Sequence, residues 1–438
     1  MLAAPGMVRG ETINEALEAA YSGNPNLRAE RARQRATDEQ VPQEVSGWRP
    51  RVDASLDIGV QKIDIDPGQS PETRFPADMS ITLSQPVFRG FKTVRGIKRA
   101  EANVEAGRQN LLAVEQQIIF DAATAYMNVI RDRRILALRE RNVVVLREQL
   151  RAAQERFNVG EVTRTDVAQA RARLSLAEST VASARSNLAS SIANYVNVVG
   201  HAPGSLKYPK LPKLPSSLEA ANALAEKINP NILAAAFVAE AARQNVEVVK
   251  GDLLPEISIA ATAAKTIQDI GHEGKTDQFQ IVGSIDIPLY EAGAVYSAVR
   301  EAKQTESQRR IEIISAGRDV RELVVSSWNF LIAARETIVA AKSQVSANQL
   351  ALEGVRQEYL VGSRTTLDVL DAEAELVESQ VQLVTAERDQ VIAAYQLLAA
   401  VGQLTARKLA LRVEYYDPIE NYGNVRNKWI GTDVHTVD

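Results

Sequence analysis

The chain contains the same motifs twice, about 200 residues apart. Asn24-Pro25-Asn26-Leu27 is followed 205 positions later by Asn229-Pro230-Asn231-Ile232, and Val199-Gly200 is followed 202 positions later by Val401-Gly402. A period of this length is too long for a solenoid, whose units span roughly 20 to 50 residues. The sequence therefore predicts two similar structures within one chain, which is the pattern of a duplicated domain.

Prolines and turn signals divide the chain into segments. Prolines cluster between the two copies and indicate an extended linker, and the helical periodicity fades after about residue 406. Thr12 with Glu15, and Ser216 with Glu219, form capping-box patterns that open the first helix of each copy. We predict a first repeat at 11–202, a linker at 203–217, a second repeat at 218–410 and a C-terminal tail at 411–438, whose last fifteen residues are expected to be mobile.

Composition argues against several functional classes. The net charge of −4 is unlike that of a nucleic-acid binder, which usually has a basic balance or patch. Cysteine is absent, which leaves no thiolate for a disulfide or a metal site. The three histidines are far apart in the sequence, and no phosphate-binding loop, Ser-His-Asp arrangement or metal motif occurs. We therefore expect neither catalysis nor a cofactor or metal ion.

Each copy contains two segments in which apolar and polar residues alternate. The longest, from Val52 to Val60, has the two-residue period of a strand with one apolar and one polar face. The pattern predicts β-hairpins at about 51–88 and about 255–290. Strands of about ten residues can cross a bilayer when tilted. No run of eighteen apolar residues occurs, which argues against a transmembrane helix.

After each β-hairpin the apolar residues follow a helical period for about 65 residues and then again on a returning segment. This predicts long α-helical hairpins at about 92–200 and about 293–403, with coiled-coil seams rich in alanine. Gly160 and Gly362 lie in the short connections and suit helix ends with positive φ. The predicted fold is therefore mainly α, with four β-strands per chain.

Four strands from one chain cannot close a membrane barrel, because single-chain barrels need at least about eight. Open strand edges in hydrocarbon would leave backbone polar groups unpaired at several kcal/mol each. If the strands lie in a membrane, two or three copies of the chain must share one barrel. The alternation pattern by itself does not decide between those two numbers.

The segments around the two hairpin turns resemble the TolC family of outer-membrane channel proteins. The residues that carry the resemblance are Phe157-Asn158-Val159-Gly160, Thr165-Asp166-Val167, Tyr359-Leu360-Val361-Gly362-Ser363-Arg364-Thr365 and Asp368-Val369-Leu370-Asp371-Ala372. The resemblance extends over about residues 11–410, which includes both repeats. It implies a homotrimer with a twelve-stranded membrane β-barrel and a twelve-helix periplasmic tunnel.

The resemblance also implies a function, a location and partners. TolC-like proteins are exit ducts of multidrug efflux pumps and type I secretion systems in the outer membrane of Gram-negative bacteria, extending into the periplasm. They contact outer-membrane lipid, a periplasmic adaptor (membrane fusion) protein and an inner-membrane RND or ABC transporter. Two alternatives remain open from the sequence: a soluble coiled-coil scaffold, and an outlet dedicated to one exported protein.

Asp368 and Asp371 are the strongest candidates for a pore constriction. Three positions apart at the start of a helix, they share one face. The resemblance assigns both to a ring of carboxylates at the periplasmic mouth, where it would favour cations. The alternative is helix capping, because Thr365-x-x-Asp368 is a capping pattern, like Thr163-x-x-Asp166 in the first copy. Capping explains Asp368 better than Asp371.

The resemblance assigns two further roles to the hairpin turns. Thr165, Asp166, Tyr359 and Arg364 match positions whose hydrogen bonds and ion pairs hold neighbouring hairpins closed, as a gate latch. Val162 stands in the first copy where Arg364 stands in the second, so the two hairpins differ at this site. Turn residues of both hairpins, besides reversing the chain, would contact the adaptor protein: Val159, Gly160, Val361 and Gly362.

Overall fold

In the computed structural model, residues 10–63, 72–267 and 274–434 are described. The loops of the two predicted β-hairpins, at 64–71 and 268–273, lie outside these residues. The first repeat contains the helices α1 (Ile13–Gly23), α2 (Pro25–Asp38), α3 (Gln40–Val45), α4 (Lys92–Asn158) and α5 (Arg164–Val199). The second contains α6 (Leu218–Ile228), α7 (Pro230–Lys250), α8 (Ala294–Leu360) and α9 (Thr366–Val401), and α10 (Pro418–Val425) follows it.

The strands are β1 (Arg51–Ile58), β2 (Gln61–Ile63), β3 (Glu72–Arg74), β4 (Ala77–Arg89), β5 (Glu256–Ile267) and β6 (Lys275–Asp286). The mainly α-helical fold with duplicated helical hairpins and four principal strands is confirmed. The short β2 and β3, which pair with each other, were not predicted. Within each α-hairpin the returning helix has 36 residues, against 67 for α4 and for α8.

The repeated Asn-Pro-Asn motif joins helices in the same way in both copies. Proline is favoured as the first residue of a helix, where its missing N–H costs nothing. The preceding asparagine caps that helix: the Asn231 backbone N–H donates to Asn229 Oδ1 at 2.9 Å. Its amide then donates to the end of a long helix, with Asn229 Nδ2 2.8 Å from the Ala400 oxygen. Asn24 makes the equivalent bond to Val198 at 3.1 Å.

One of the two predicted capping boxes is wrong by one residue. Thr12 and Glu15 form the expected reciprocal pair at the start of α1. In the second copy the cap is Ser217, whose hydroxyl accepts from the Ala220 N–H at 3.1 Å, and Ser216 is not the cap. The Ser216-Ser217 pair offered two candidate caps in adjacent positions. The residue at which α6 begins, Leu218, determines which of the two serines is the cap.

Contacts divide the chain into two compact units, and each draws on both repeats. The first comprises the described residues of Met1–Arg31, Gln109–Leu233 and Ala316–Tyr416, and its core includes Tyr126, Tyr195 and Leu398. The second comprises those of Ala32–Arg108, Ala234–Ser315 and Asp417–Asp438.

The second unit contains a four-stranded antiparallel sheet in the order β1-β4-β5-β6. Pairing of β4 with β5 joins the β-hairpins of the two repeats. β1 pairs with β4 only as far as Ser84, and a bulge follows between Pro86 and Phe88. Proline is tolerated at such a place, where one side of the strand has lost its partner. Within the described chain, the outer edges of β1 and β6 have no partner strand.

Register places all the alternating apolar residues on one face of this sheet. Val52 lies opposite Leu83, which lies opposite Ala261, which lies opposite Ile281. The other face is mostly polar, although it also carries Ala260, Ala264 and Val282. Hydroxyls bond across the strands there: Ser55 to Ser80 at 2.8 Å and Thr82 to Thr262 at 3.3 Å. The predicted alternation is thus confirmed as two chemically different faces.

The C-terminal segment predicted as a tail contains a helix and makes contacts within the second compact unit. Asp417 caps α10, and Asn421 Nδ2 donates to Asp38 Oδ2 at 2.8 Å. Burial raises the pKa of the Asp38 carboxyl. The hydrogen bond from Asn421 partly replaces the hydration that this buried carboxyl has lost. Farther on, the Arg49 guanidinium lies 4.6 Å from the Trp429 ring centroid. Asp417 and Asn421 precede the last fifteen residues, for which mobility is expected, and Trp429 lies among those fifteen. The contact of Trp429 with Arg49 was not predicted, because the two residues are distant in sequence.

Part of α8 is apolar enough to cross a membrane by length and composition. Its most apolar 18-residue window has a mean hydropathy of 1.3. This window contains charged residues and so is not an uninterrupted apolar run, the pattern on which the sequence prediction was based. Only 28% of that window is buried. Val324 and Leu331 of α8 are buried in a cluster with residues of α9 and α6.

We expect Asn229→Ala to lower the thermal unfolding midpoint of the protein more than any exposed substitution nearby. It removes a helix cap and leaves the buried Ala400 carbonyl without its donor, at a combined cost of about 2 kcal/mol or more. The measurement is thermal unfolding followed by circular dichroism. Asn231→Ala, at an exposed side chain in the same motif, is the control; equal midpoints for the two variants would contradict the role of Asn229.

Candidate functional site

The turns of the two α-hairpins have the same local structure. Gly160 and Gly362 adopt φ values of +80° and +78°, which side-chain-bearing residues rarely adopt. Each glycine N–H donates back to the end of the preceding helix, to Phe157 and Tyr359 respectively, at 3.0 Å. The valines before them are turned to solvent, with exposed fractions of 72% for Val159 and 80% for Val361. Each turn therefore presents exposed apolar side chains at its end, with Phe157 beside Val159 and Leu360 beside Val361.

Asp166 and Asp368 cap the helices that follow the turns. Asp368 Oδ2 accepts from the Thr365 backbone N–H and hydroxyl, both at 2.8 Å. These hydrogen bonds hold the pKa of the Asp368 carboxyl below its usual value, with the Arg364 charge adding a smaller effect. Asp166 has the same arrangement with Thr163. Thr165 is exposed in the first turn of α5.

Asp371 has a different environment from Asp368, although the two share a helix face. Asp371 Oδ1 lies 2.5 Å from Arg173 Nη2 of α5. Both side chains are partly exposed, at 49% and 38%. Within the chain, Asp371 is therefore an ion-pair partner that joins α9 to the first α-hairpin, and its charge is balanced.

Tyr359 also lies at the contact between the two hairpins. The Arg156 guanidinium, in the last turn of α4, lies 4.9 Å from the Tyr359 ring centroid, within the range of a cation–π interaction. The Tyr359 hydroxyl lies 3.3 Å from Thr366 Oγ1. Arg364 Nε binds Glu358 Oε2 of its own turn at 2.7 Å. Within the described chain, no bond between Arg364 and Asp166 is found.

Two further ion pairs continue the Arg173–Asp371 link along α9. Arg139 of α4 binds Glu378 at 2.8 Å, and Arg134 of α4 binds Glu387 at 2.5 Å. In all three pairs the arginine belongs to the first hairpin and the acid to α9. We call the three pairs, Arg173–Asp371, Arg139–Glu378 and Arg134–Glu387, the arginine ladder.

A hydrophobic contact lies beside the ladder. Leu370 of α9 is buried, with 1% of its surface exposed, in the core of the first hairpin. Glu373, also buried, pairs with Arg356 of α8 and so ties α9 to its own hairpin. The start of α9 thus contacts both the first hairpin and α8 of its own hairpin.

The arginines of the ladder were not identified from sequence. The available signal was the spacing of seven between Asp371 and Glu378, which places both acids on one face of α9. Nothing in the sequence pattern assigned Arg173 and Arg139 as their partners, because many arginines occur along α4 and α5. Among the described residues, no group of three or more His, Cys, Asp or Glu is arranged to hold a metal ion.

Comparison with known proteins shows which proteins this chain is similar to. The outer membrane efflux protein family matches residues 16–201 and 222–403. The chain is 40% identical over 425 residues to the outer membrane efflux protein BepC of Brucella suis biovar 1 (strain 1330), covering 96% of this chain and 92% of that protein. It is 27% identical over 426 residues to the outer membrane protein TolC of Escherichia coli (strain K12), covering 92% and 84%.

A solved structure is similar in fold. The Campylobacter jejuni CmeC outer membrane channel matches with a TM-score of 0.81 at 16% identity, over 95% of this chain and 89% of that chain. The family match covers most of both repeats, and the resemblance inferred from the hairpin turns is confirmed. The chain therefore belongs to the outer membrane efflux protein family, the TolC-like export channels in the outer membrane of Gram-negative bacteria.

Proposed function

We propose that three copies of this chain form a passive exit duct, whose twelve-stranded barrel spans the outer membrane and whose helices line a periplasmic tunnel. The duct performs no catalysis and is energised by an inner-membrane transporter of the RND or ABC class, reached through a periplasmic adaptor protein. One observation carries the proposal: the four-stranded sheet has an uncovered apolar face and two free edges within the described chain.

The apolar face supports contact with lipid. Ile58, Phe279 and Ile281 are 74%, 73% and 66% exposed, although a soluble sheet buries such residues against a second layer. The opposite face, with its serine and threonine pairs, suits a water-filled interior. This division into an outward apolar and an inward polar face is that of a membrane barrel wall.

The free edges support assembly from several chains. Within the described chain the sheet is antiparallel throughout and has four strands, so β6 of one copy and β1 of the next would also run antiparallel. Two copies would provide eight strands and three would provide twelve, and both numbers close a barrel. The choice of three rests on membership of the TolC-like family.

The arginine ladder supports a gating mechanism. We infer that the closed mouth keeps α9 paired to the first hairpin through Arg173–Asp371 and its neighbours, with Thr165, Asp166, Tyr359 and Arg364 adding links between adjacent hairpins. Adaptor contact at Val159, Gly160, Val361 and Gly362 would release α9 and widen the mouth. Asp368, together with any Asp371 freed in this way, would supply the charge at the constriction.

Purified protein should behave as a trimer that depends on detergent. The apolar face of the sheet will not remain in water uncovered, so extraction from membranes should require detergent. Three chains of 47.8 kDa predict a protein mass three times that value. Light scattering with subtraction of the detergent gives the mass directly. A stable, soluble monomer in buffer would refute the duct and favour the coiled-coil scaffold, and a dimer would refute the assignment of three copies.

Arg173→Gln and Asp371→Asn should both open the channel. A partly exposed ion pair is worth up to about 1 kcal/mol, so three copies could shift the closed-to-open equilibrium by up to roughly 100-fold. The two variants should differ in block by a trivalent cation such as hexaamminecobalt, because Arg173→Gln leaves an unbalanced carboxylate and Asp371→Asn removes it.

Single-channel recording in planar bilayers measures both properties. Arg151→Gln is the matched control, because among the residues that the structure describes Arg151 pairs only with Glu148 and Glu155 of its own helix. Unchanged conductance in both test variants would refute the ladder as part of the gate. Equal cation block in both would remove Asp371 from the constriction while leaving its role in the ladder intact.

Val159→Asp and Val361→Asp should each reduce export without weakening the trimer. Both valines are largely exposed, so a carboxylate there should cost little in folding but would disfavour an apolar contact with the adaptor. Drug accumulation in cells that carry each variant measures the loss. Val144→Asp, at an exposed valine of α4 far from the turns, is the control. Normal export by both turn variants would contradict the adaptor contact.

A further inference from the structure

A cleft lined with cations lies among α4, α7 and α8 in the second compact unit. Its volume is about 570 Å³. We call the five cationic residues along it the basic cleft: Arg95, Arg243, Lys250, Lys303 and Arg310. The cleft contains none of the residues assigned to the gate or to the hairpin turns. Its chemistry is therefore not accounted for by the duct mechanism.

The cations of the basic cleft outnumber the carboxylates that line it. Glu247 and Glu306 are the acids in the lining, against five bases. Lys250 Nζ pairs with Glu247 at 2.5 Å. The Arg243 guanidinium pairs with Glu240, outside the lining, through bonds of 2.7 and 2.8 Å. A surplus of positive charge remains after these pairs are formed.

The remaining three bases have weak partners or none. Arg95 Nη1 meets the neutral amide oxygen of Gln244 at 3.3 Å. For Lys303 and Arg310, no carboxylate lies within 4.0 Å in the described parts of the chain. Cations left without counterions around one cleft repel each other, so a bound anion would stabilise them.

Spacing along the helices aligns these charges. Lys303 and Arg310 are seven residues apart on α8, which is about two helical turns or 10 Å along one face. Arg243 and Lys250 have the same spacing on α7. The two rows face the cleft together with Arg95. An anion with several oxygens could therefore meet bases from more than one helix at once.

The bases of the cleft lower the pKa values of two nearby carboxyl groups. The pKa of the Glu247 carboxyl is lowered mainly by its hydrogen bond to Lys250, with smaller effects of the Arg95 and Arg243 charges. The pKa of Glu240 is lowered chiefly by Arg243, which donates two hydrogen bonds to it. Both carboxylates thus remain ionised and partly offset the cations, but neither pairs with Lys303 or Arg310.

We propose that the basic cleft binds a phosphate-bearing anion. Guanidinium groups bind phosphate oxygens through two parallel hydrogen bonds, and lysine adds a mobile point charge. Basic pockets of this kind between helices near a membrane also hold lipid head groups. The phosphate could belong to a lipid head group or to a soluble phosphate compound, and the two sources share this chemistry.

The place of the cleft in the fold bears on the source of the phosphate. Arg95 lies six residues after the end of β4, and Lys250 lies six residues before the start of β5. One end of the cleft is thus within one or two helical turns of the sheet. If the sheet lies in lipid, as proposed above, that end is at the level of the head groups. Only this choice of source rests on the proposed function.

The test uses the purified full chain in a sugar-based detergent that contains no phosphate. One arm adds inorganic phosphate and measures binding by calorimetry. The other arm adds phosphatidylglycerol, with a glycolipid of matched chains as control, and counts bound lipid by native mass spectrometry. The Lys303→Gln, Arg310→Gln double variant should weaken binding at least about tenfold, which corresponds to 1.4 kcal/mol.

A second double variant, Arg309→Gln with Arg318→Gln, removes the same charge from α8 outside the cleft and should bind as the native chain does. Binding of lipid alone identifies a head-group site, and binding of inorganic phosphate identifies a site for soluble phosphate. No binding of either probe, or equal loss in both double variants, would overturn the proposal. Channel conductance of the same samples checks the duct separately, so failure of one proposal is distinguishable from failure of the other.

Discussion

The two chemically different faces of the four-stranded sheet constrain the rest of the molecule. An apolar face that carries Ile58, Phe279 and Ile281 in exposed positions requires a covering that the described chain does not provide. Two free edges require further strands, since unpaired backbone groups are costly where water is excluded. In the proposed duct, lipid satisfies the first requirement and additional copies of the chain satisfy the second. The long helices would then continue from an assembly of several chains.

The duplicated motifs make equivalent hydrogen bonds in the two repeats. Asn24 and Asn229 each cap one helix and bind the last carbonyls of another, so one side chain fixes a junction of two helices. The hairpin turns likewise share their glycine conformation and capping boxes. The repeats differ where function is proposed. Asp371 of the second repeat pairs with Arg173 of the first, and the ladder runs in one direction only, with bases on the first hairpin and acids on α9.

The candidate site shows where sequence reasoning succeeded and where it was limited. The capping role of Asp368 follows from Thr365 three positions before it, and the structure contains that bond. Such a local interaction can be read from spacing because the helix fixes the geometry. The pairing of Asp371 with Arg173 spans 198 positions and depends on which faces of α5 and α9 meet. The contacts of the C-terminal segment could not be predicted for the same reason. Asn421 binds Asp38, and the Trp429 ring contacts Arg49, both across most of the length of the chain.

Local sequence patterns are enough to predict the duplication, the two-residue alternation of the strands, the long helical periods and the glycine turns. Each of these depends on neighbours within a few residues, where backbone geometry is fixed by the chain. Three features became visible only in the folded chain: β4 pairs with β5, the alternating residues of both repeats share one face, and arginines of one hairpin meet acids of the other. These outcomes depend on contacts between distant segments, whose register and facing surfaces are selected by packing of the whole chain and not by any local pattern.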